Sequence, residues 1–260
     1  MWPDVEMIQP SRTDIVAWLR APLVALSFLT IVPIGKRITV SGDELPRAIG
    51  FFPLVGALLG LGTIGIAWML SQRTSPTLVA IVATAWSALA TGALHLDGVG
   101  DLSDAVAGAR GDRKRALEIL RDPRMGSAGT VALVLVLLLQ VAATVQLCES
   151  GRWMLLLMAP VVSRALVVPA MVLFEPARSD GRAHAFVPGR RSGLVALALA
   201  VLLTVPGLVV WFPGVSPLFA GFLATAVVVL VARSVLGGMT GDVYGAAIAL
   251  SEVAFLAACA

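Results

Sequence analysis

Three aspartates, Asp97, Asp101 and Asp104, stand at the end of an uncharged run in a chain that has few acidic residues. If residues 95–110 form a helix, each residue turns by about 100°, so Asp101 and Asp104 lie about 40° and about 20° from Asp97. Like charges that share a helix face repel one another. A divalent cation removes this repulsion, and Mg²⁺ combines a few carboxylates with phosphate oxygens and water. The spacing therefore predicts a Mg²⁺ site, with a solvated acidic surface as the alternative.

The segment after these acids is basic. Asp112 is placed to cap a short helix over residues 113–121, which Pro123 ends. At the end of this helix and in the turn after it lie the candidate phosphate-binding residues, which are Arg121, Arg124, Gly126 and Ser127. Guanidinium groups bind phosphate oxygens in pairs, and a helix N-terminus adds backbone donors. Together with the acids, and with Asp122 as a further metal ligand, these residues predict transfer of a phosphoryl-linked group, unless the basic charge only orients the chain in a membrane.

Polar residues in other apolar segments are further candidates. Arg164 lies in the middle of a run, where an arginine is costly and indicates function, either as a phosphate ligand or as the partner of Glu252. Thr240 and Asp242 stand in a glycine-rich turn, where they could complete a phosphate or metal site. His95 is a weaker candidate for acid–base chemistry, because on a helix it lies about 160° from Asp97.

The elements that hold these residues must be membrane helices. The chain of 260 residues is 58% hydrophobic and only 13% charged, whereas a soluble domain has about 25% charged residues. Runs with no charge or one charge are 48–70, 74–94, 125–148, 153–174, 192–232 and 243–260. Residues 210–217 divide the longest run, since Pro and Gly interrupt helices. The sequence predicts one all-α membrane domain over residues 1–260, with about six to eight spanning or half-spanning helices.

The basic residues predict the orientation of these helices. They concentrate in residues 1–47, 110–124 and 175–191, and the alternate connections have few. The positive-inside rule therefore places the N-terminus and the motif segment 95–124 in the cytoplasm. The segment 15–34 is short and amphipathic, which predicts an interfacial or half-buried helix within an N-terminal segment over 1–47. A net charge of +3 is too small to indicate a nucleic-acid partner, and the sequence leaves a homo-oligomer open.

Several segments resemble the cobalamin synthase family, adenosylcobinamide-GDP ribazoletransferase. They are HLDGVGDLSDAV (95–106), RALEILRDPRMGSAG (115–129), SRA (163–165) and GGMTGDVYGAAIALSE (237–252). Two more, LSFLTIVPIG (26–35) and GFFPLVGALLG (50–60), are similar to the opening of that family. The resemblance implies a multi-pass, Mg²⁺-dependent enzyme of the bacterial inner membrane, with its active site on the cytoplasmic face.

The resemblance also implies a reaction. The enzyme would transfer the adenosylcobinamide phosphate moiety of adenosylcobinamide-GDP to α-ribazole or its 5′-phosphate and release GMP, the last step of nucleotide loop assembly. The acids would hold Mg²⁺ on the diphosphate and the arginines would bind phosphate oxygens. The ribazole 5′-oxygen is expected to attack the phosphorus on the cobinamide side. An aspartate would take the proton, Asp104 in preference to His95, with Asp101 as the third catalytic candidate.

Two other classes of membrane protein fit parts of the pattern. A CDP-alcohol phosphotransferase also uses clustered aspartates, but it requires further aspartates on the following helix, and none stands between Gly126 and Asp180. A transporter could use Arg164 and Glu252 as a charge pair inside the membrane, but two related halves are not visible in the sequence.

Overall fold

A computed structural model describes residues 12–32, 44–178 and 186–260, and for residues 12–15 it describes only the backbone. Parts of the predicted interfacial segment 1–47 and of the basic loop 175–191 lie outside the described residues. The described helices are α1 (Arg12–Leu29), α2 (Leu45–Ala48), a 3-10 turn (Ile49–Phe51), α3 (Phe52–Ser71), α4 (Pro76–Ala90), α5 (Leu94–Ala109), α6 (Arg113–Ile119), α7 (Ser127–Glu149), α8 (Met154–Leu173), α9 (Arg190–Val210), α10 (Val215–Leu236) and α11 (Gly241–Cys259). The described part contains no β-strand, only one isolated bridge between Pro176 and Met239.

Six of the described helical segments are long and apolar enough to cross a membrane. They are the continuous segment Leu45–Ser71, which contains α3, and the helices α7, α8, α9, α10 and α11. The break expected at residues 210–217 is confirmed, because α9 ends at Val210 and α10 begins at Val215. The chain is therefore an all-α, multi-pass membrane protein with a number of crossings inside the predicted range.

The expected span over residues 74–94 does not form one continuous helix, because α4 and α5 are long and apolar enough to cross a membrane only when taken together. Its helix α4 has 15 residues, so it reaches about 22 Å and is too short for a hydrocarbon core of about 30 Å. It ends because Gly92 and Ala93 both adopt left-handed backbone angles, with φ of 60° and 58°. The next helix, α5, starts at once but leaves at 86° to α4. The helix assumed over residues 95–110 of the motif segment is thus present as α5, and it is not one of the six segments that span alone.

Helix α5 is held in the bundle by close contacts with α11 and α7. At Gly98 an added Cβ atom would lie 2.3 Å from the carbonyl oxygen of Asp242, the second residue of α11. At Gly129 it would lie 2.7 Å from the carbonyl oxygen of Gly100. Glycine is therefore required at both positions, and each contact brings one of the polar motifs against the aspartates of α5.

The predicted interfacial or half-buried helix near the N-terminus is α1, of which Val16–Leu29 is an apolar segment shorter than the spanning ones. One face packs on the core, where Ala21, Ala25 and Leu29 are buried. The opposite face exposes Leu19, whose exposed fraction is 73%. Helix α1 is thus half-buried, and it supplies Phe28 and Leu29 to a cavity near the aspartates.

Candidate active site

The aspartates of α5 meet a fourth acid from α11. Asp97 is exposed, whereas Asp101, Asp104 and Asp242 are half-buried. Burial, together with the charges of Asp97, Asp242 and Asp104, raises the pKa of Asp101 to about 6. The charges of Asp97 and Asp242 also interact with each other. The helix that places the three aspartates on one face is confirmed as α5, and Asp101 is the acid on which the charges of the other three act.

Asp104 is directed to the start of α7 and is bound there. Its two carboxylate oxygens accept hydrogen bonds from the backbone N–H groups of Gly126, at 2.6 Å, and Gly129, at 2.8 Å. A carboxylate at a helix N-terminus is stabilised by these donors and by the helix dipole. The sequence predicted that Gly126 and Ser127 would bind a phosphate here. In the structure the anion that receives the Gly126 N–H is Asp104, and Ser127 is the exposed first residue of the helix.

We expect Asp104→Asn to lower the free energy of unfolding by about 1–3 kcal/mol, because an amide has only one accepting oxygen and leaves one buried N–H without a partner. The midpoint of thermal unfolding of the purified protein in detergent measures this. Asp112→Asn is the matched control, since Asp112 caps the exposed start of α6 through the N–H groups of Lys114 and Arg115 and asparagine caps equally well. Equal midpoints for the two variants would contradict the anchoring role.

The turn between α6 and α7 contains an ion pair. Asp122 accepts hydrogen bonds from the guanidinium group of Arg124, the shortest being 2.6 Å from Nη2. These bonds lower the pKa of Asp122 to about 2. Asp122 is not among the charges that shift Asp101, so it stands apart from the other acids. Asp122, predicted as a metal ligand, and Arg124, predicted as a phosphate ligand, bind each other, while Arg121 is exposed beside them.

The glycine-rich turn before α11 has a structural role as well as an acid. Thr240 caps α11, because its hydroxyl oxygen accepts a hydrogen bond from the N–H of Val243 at 3.3 Å. The same hydroxyl donates to Asp242 at 3.4 Å. Thr240 is 5% exposed, so its predicted contact with phosphate is replaced by a role in orienting Asp242.

Arg164 lies in the interior and forms an ion pair with Glu252. Its Nη1 is 2.7 Å from the Oε2 of Glu252, and the exposed fractions of the two side chains are 1% and 10%. Nη1 also donates to the carbonyl oxygen of Pro160 and to the hydroxyl of Ser163. The sequence left two roles open for Arg164. The structure supports the charge pair with Glu252, and no contact supports the phosphate-binding role.

His95 bridges this interior pair and the start of α5. Its Nδ1 lies 3.5 Å from Nη2 of Arg164, so this nitrogen is directed to the interior pair. A polar cavity of about 30 Å³ adjoins the pair, lined among others by Thr84, Gln140 and Arg164. Thr84 Oγ1 and Arg164 Nε are buried without a partner among the described residues. The cavity has room for about two water molecules, which would pair these atoms.

A second cavity, which we call the aromatic pocket, lies between His95 and Asp242. Its volume is about 60 Å³. Its lining residues are Phe28, Leu29, Phe52, Leu94, His95, Met171, Phe186, Gly241, Asp242, Tyr244, Gly245 and Ile248. An apolar pocket with a few polar groups at its edge is typical of a small-molecule site, and here one of those groups is an acid of the cluster.

Two arginines that the sequence treated only as orientation charges belong to this region. Arg113 donates to the carbonyl oxygens of Leu236, at 2.7 Å, and Ala177, at 2.9 Å. It thereby ties the end of α10 to the segment that precedes Arg178. The charge of Arg178 acts on Asp242, and its Nε is buried without a partner among the described residues. No local pattern marks either residue, because each acts on groups that are distant along the chain.

Comparison with known proteins agrees with these motifs. The family model for cobalamin-5-phosphate synthase matches residues 21–260. The chain belongs to this family. Proteins named adenosylcobinamide-GDP ribazoletransferase are similar to it, from Geotalea daltonii with 37% identity over 90% of this chain and 94% of the relative, and from Pseudomonas syringae with 41% identity over 90% and 96%. The Pseudomonas paraeruginosa protein is 41% identical over 93% and 98%. No solved structure matches this member of the cobalamin-5-phosphate synthase family.

Proposed function

We propose that the protein transfers the adenosylcobinamide phosphate moiety of adenosylcobinamide-GDP to α-ribazole or its 5′-phosphate, with release of GMP. The observation that carries the proposal is the meeting of Asp97 and Asp101 with Asp242 beside the aromatic pocket. A diphosphate substrate needs a cluster of carboxylates that can bind a cation, and an aromatic substrate needs an apolar pocket. Both are present where α5 meets α11.

The family name changes one expectation about the attacking oxygen. A product called cobalamin 5-phosphate retains the 5′-phosphate of its ribazole unit. The attacking group is then a ribose hydroxyl other than the 5′ one, in place of the 5′-oxygen expected from the sequence. Its oxygen forms a bond to the phosphorus on the cobinamide side, the bond from that phosphorus to the bridging oxygen breaks, and GMP leaves.

The acids fit a Mg²⁺ site of two protein ligands. Among the described residues no group of three or more His, Cys, Asp or Glu side chains is arranged to hold one metal ion. Mg²⁺ needs only one or two carboxylates, because water and phosphate oxygens complete its coordination. Asp97 and Asp242, whose charges repel each other, would hold the ion. When bound, it would offset charge on the diphosphate and on the departing phosphate.

Asp101 is the acid best placed to accept the hydroxyl proton. Both oxygens of Asp104 are occupied by backbone N–H groups, and His95 is directed to Arg164 in the interior. Asp101 has neither restriction, and a pKa of about 6 is close to the value that suits a base at neutral pH. Asp104 then acts as a positioning residue that joins the start of α7 to the acidic face.

Arg178 would bind a phosphate oxygen of adenosylcobinamide-GDP. It is held on a segment that is fixed at two points, since Ala177 N–H donates to the carbonyl oxygen of Met239 at 2.8 Å and Arg113 binds the carbonyl of Ala177. Its charge acts on Asp242, so a phosphate bound beside Asp242 would lie within its reach. Arg121 and Arg124 remain candidates for the same substrate at the exposed turn.

We expect Arg178→Met to raise the KM for adenosylcobinamide-GDP by about tenfold to hundredfold, because a charged hydrogen bond contributes about 1.5–3 kcal/mol. The KM for α-ribazole should stay within about twofold, and Arg178→Lys should recover part of the loss. Steady-state rates of GMP release measure both constants. Arg73→Met, in the exposed turn after α3, is the control. If Arg178→Met leaves the KM for adenosylcobinamide-GDP unchanged, Arg178 does not bind this substrate.

We also propose that this end of the bundle faces the cytoplasm of a bacterial inner membrane. The basic segments expected on one side do meet here, through the contacts of Arg113 with Ala177 and Leu236. The positive-inside rule assigns such a cluster to the cytoplasm. Cysteine accessibility in right-side-out and inverted vesicles tests the orientation, with Ser234→Cys at this end and Ser71→Cys at the other.

The reaction itself is tested with purified protein in lipid nanodiscs. Adenosylcobinamide-GDP and α-ribazole are added with Mg²⁺ or with a chelator, and GMP and the corrinoid product are quantified. GMP formed only when the ribazole and Mg²⁺ are both present supports the proposal. GMP formation that continues in the chelator would exclude the metal site, and the absence of GMP in every mixture would exclude the reaction.

A further inference from the structure

The walls of the aromatic pocket suit a flat, apolar ring. Phe28 and Phe186 have ring centroids 4.3 Å apart in a tilted arrangement. Phe52 completes the group at 6.2 Å from Phe28 and 6.5 Å from Phe186. Aromatic rings attract one another in offset or edge-to-face geometry over these distances. Three rings from separate parts of the chain therefore present edges and faces to whatever enters beside them.

The pocket also has a buried ring N–H donor whose identity follows from geometry. His95 lines both the aromatic pocket and the polar cavity, and it is 6% exposed. Arg164 lines only the polar cavity and faces Nδ1. An arginine can only donate, so Nδ1 accepts and the ring proton is on Nε2. Nε2 points away from Arg164, and it has no partner among the described residues.

We propose that the aromatic pocket binds the base of the incoming ribazole, and that His95 Nε2 donates a hydrogen bond to the free ring nitrogen of that base. The inference rests on the proposed function, since it assigns a subsite for one of its substrates. The base of a ribazole is a benzimidazole, in which one nitrogen carries the ribose and the other has a lone pair. An apolar bicyclic ring with one acceptor matches an apolar pocket in which His95 offers an N–H donor without a partner among the described residues.

Other parts of the substrates match this pocket less well. A guanine would bury several donors and acceptors, and among the described lining residues only His95, Asp242 and Tyr244 have polar side-chain atoms. Unpaired buried polar groups are costly. The corrin ring is many times larger than the cavity. Entry of a bicyclic base widens the pocket by side-chain rotation, for which the flexible Met171 is suited.

The position of the pocket agrees with the reaction geometry. Asp242 lines the pocket and also belongs to the acidic cluster. A base held among the phenylalanines would therefore place its ribose beside Asp242 and Asp101. That arrangement presents a ribose hydroxyl to Asp101, the proposed proton acceptor, and to the phosphorus that the hydroxyl oxygen attacks.

The test compares α-ribazole with its indole counterpart, which has a C–H group in place of the free ring nitrogen. The wild-type protein should prefer α-ribazole by about tenfold or more in kcat/KM, because one buried hydrogen bond is lost with indole. In His95→Leu the preference should fall to within about twofold. His95→Gln, which keeps an N–H donor, should restore part of it. The KM for adenosylcobinamide-GDP should not follow this pattern.

Two further variants keep the outcome decisive. Thr84→Val changes the polar cavity and not the aromatic pocket, so it should leave the preference intact. Met171→Phe narrows the aromatic pocket and should raise the KM for both ribazoles at least fivefold, with little effect on the GDP substrate. If His95→Leu folds and still prefers α-ribazole over its indole counterpart as strongly as the wild-type protein does, the inference is overturned. If His95→Leu does not fold, an unchanged KM for the ribazoles in Met171→Phe overturns it instead. Failure of the proposed function is distinct, since no GMP then forms from either ribazole.

Discussion

Asp101→Asn should lower kcat for GMP release by about 10²- to 10⁴-fold, which is the usual contribution of a general base. The amide has nearly the size of the carboxylate but cannot accept a proton. Because Asp101 is proposed as the base and not as a metal ligand, the Mg²⁺ concentration that gives half-maximal activity should change by less than about threefold. Initial rates across a Mg²⁺ titration measure both quantities in one experiment.

Asp97→Asn is the matched control for that result. Asp97 lies on the same helix face and has the same side chain, but we propose it as a metal ligand. Its replacement should raise the half-maximal Mg²⁺ concentration by about tenfold or more, since the site loses one of two carboxylates. If both variants shift the Mg²⁺ requirement alike, Asp101 is a ligand and the division of roles is incorrect.

The pH profile gives an independent check on Asp101. The pKa of its carboxyl is raised to about 6, so the group is ionised above this pH and protonated below it. The rate in the wild-type protein should fall by about tenfold for each pH unit on the acid side. A bound cation favours the ionised form, so this decrease should begin no higher than about pH 6. In Asp101→Asn the acid-side decrease should be absent.

Arg164→Met should lower the free energy of unfolding by about 3–5 kcal/mol, because it leaves the carboxylate of Glu252 buried without its partner. The pair is 2.7 Å apart, with Arg164 almost fully buried. Replacing both residues, as in Arg164→Met with Glu252→Leu, should recover most of the loss. The double variant should also release GMP, since Arg164 is assigned to the interior and not to phosphate. Thermal unfolding in detergent and the rate of GMP release measure the two effects.

Arg233→Met is a suitable control for Arg164. Arg233 is exposed on the last turn of α10 and lies over the ring of Phe174, so its replacement should change stability by less than about 1 kcal/mol. A double variant that is stable but releases no GMP would restore the phosphate-binding role that the sequence left open for Arg164. A double variant as unstable as Arg164→Met would indicate that packing around the pair, and not charge, holds α8 against α11.

The sequence by itself determined the features that depend on residues close together in the chain, which are the helices, their phase and their caps. Hydrophobic runs of about 20 residues require helices in a membrane, because backbone polar groups find no water there. The helical phase of Asp97, Asp101 and Asp104 follows from their spacing. Asp112 caps α6 as predicted, since capping joins a side chain to N–H groups within three residues. The motifs also sufficed to indicate the family.

Only the tertiary structure decided which distant groups meet. Asp104 binds the start of α7, and Arg164 pairs with Glu252 on another helix. The aromatic pocket takes one phenylalanine from α1, one from α3 and one from the loop before α9. The break between α4 and α5 was missed because Ala93 adopts a left-handed backbone that its side chain does not favour. Charge pairing and cavity shape depend on how helices pack, and no periodicity along the chain encodes the partners.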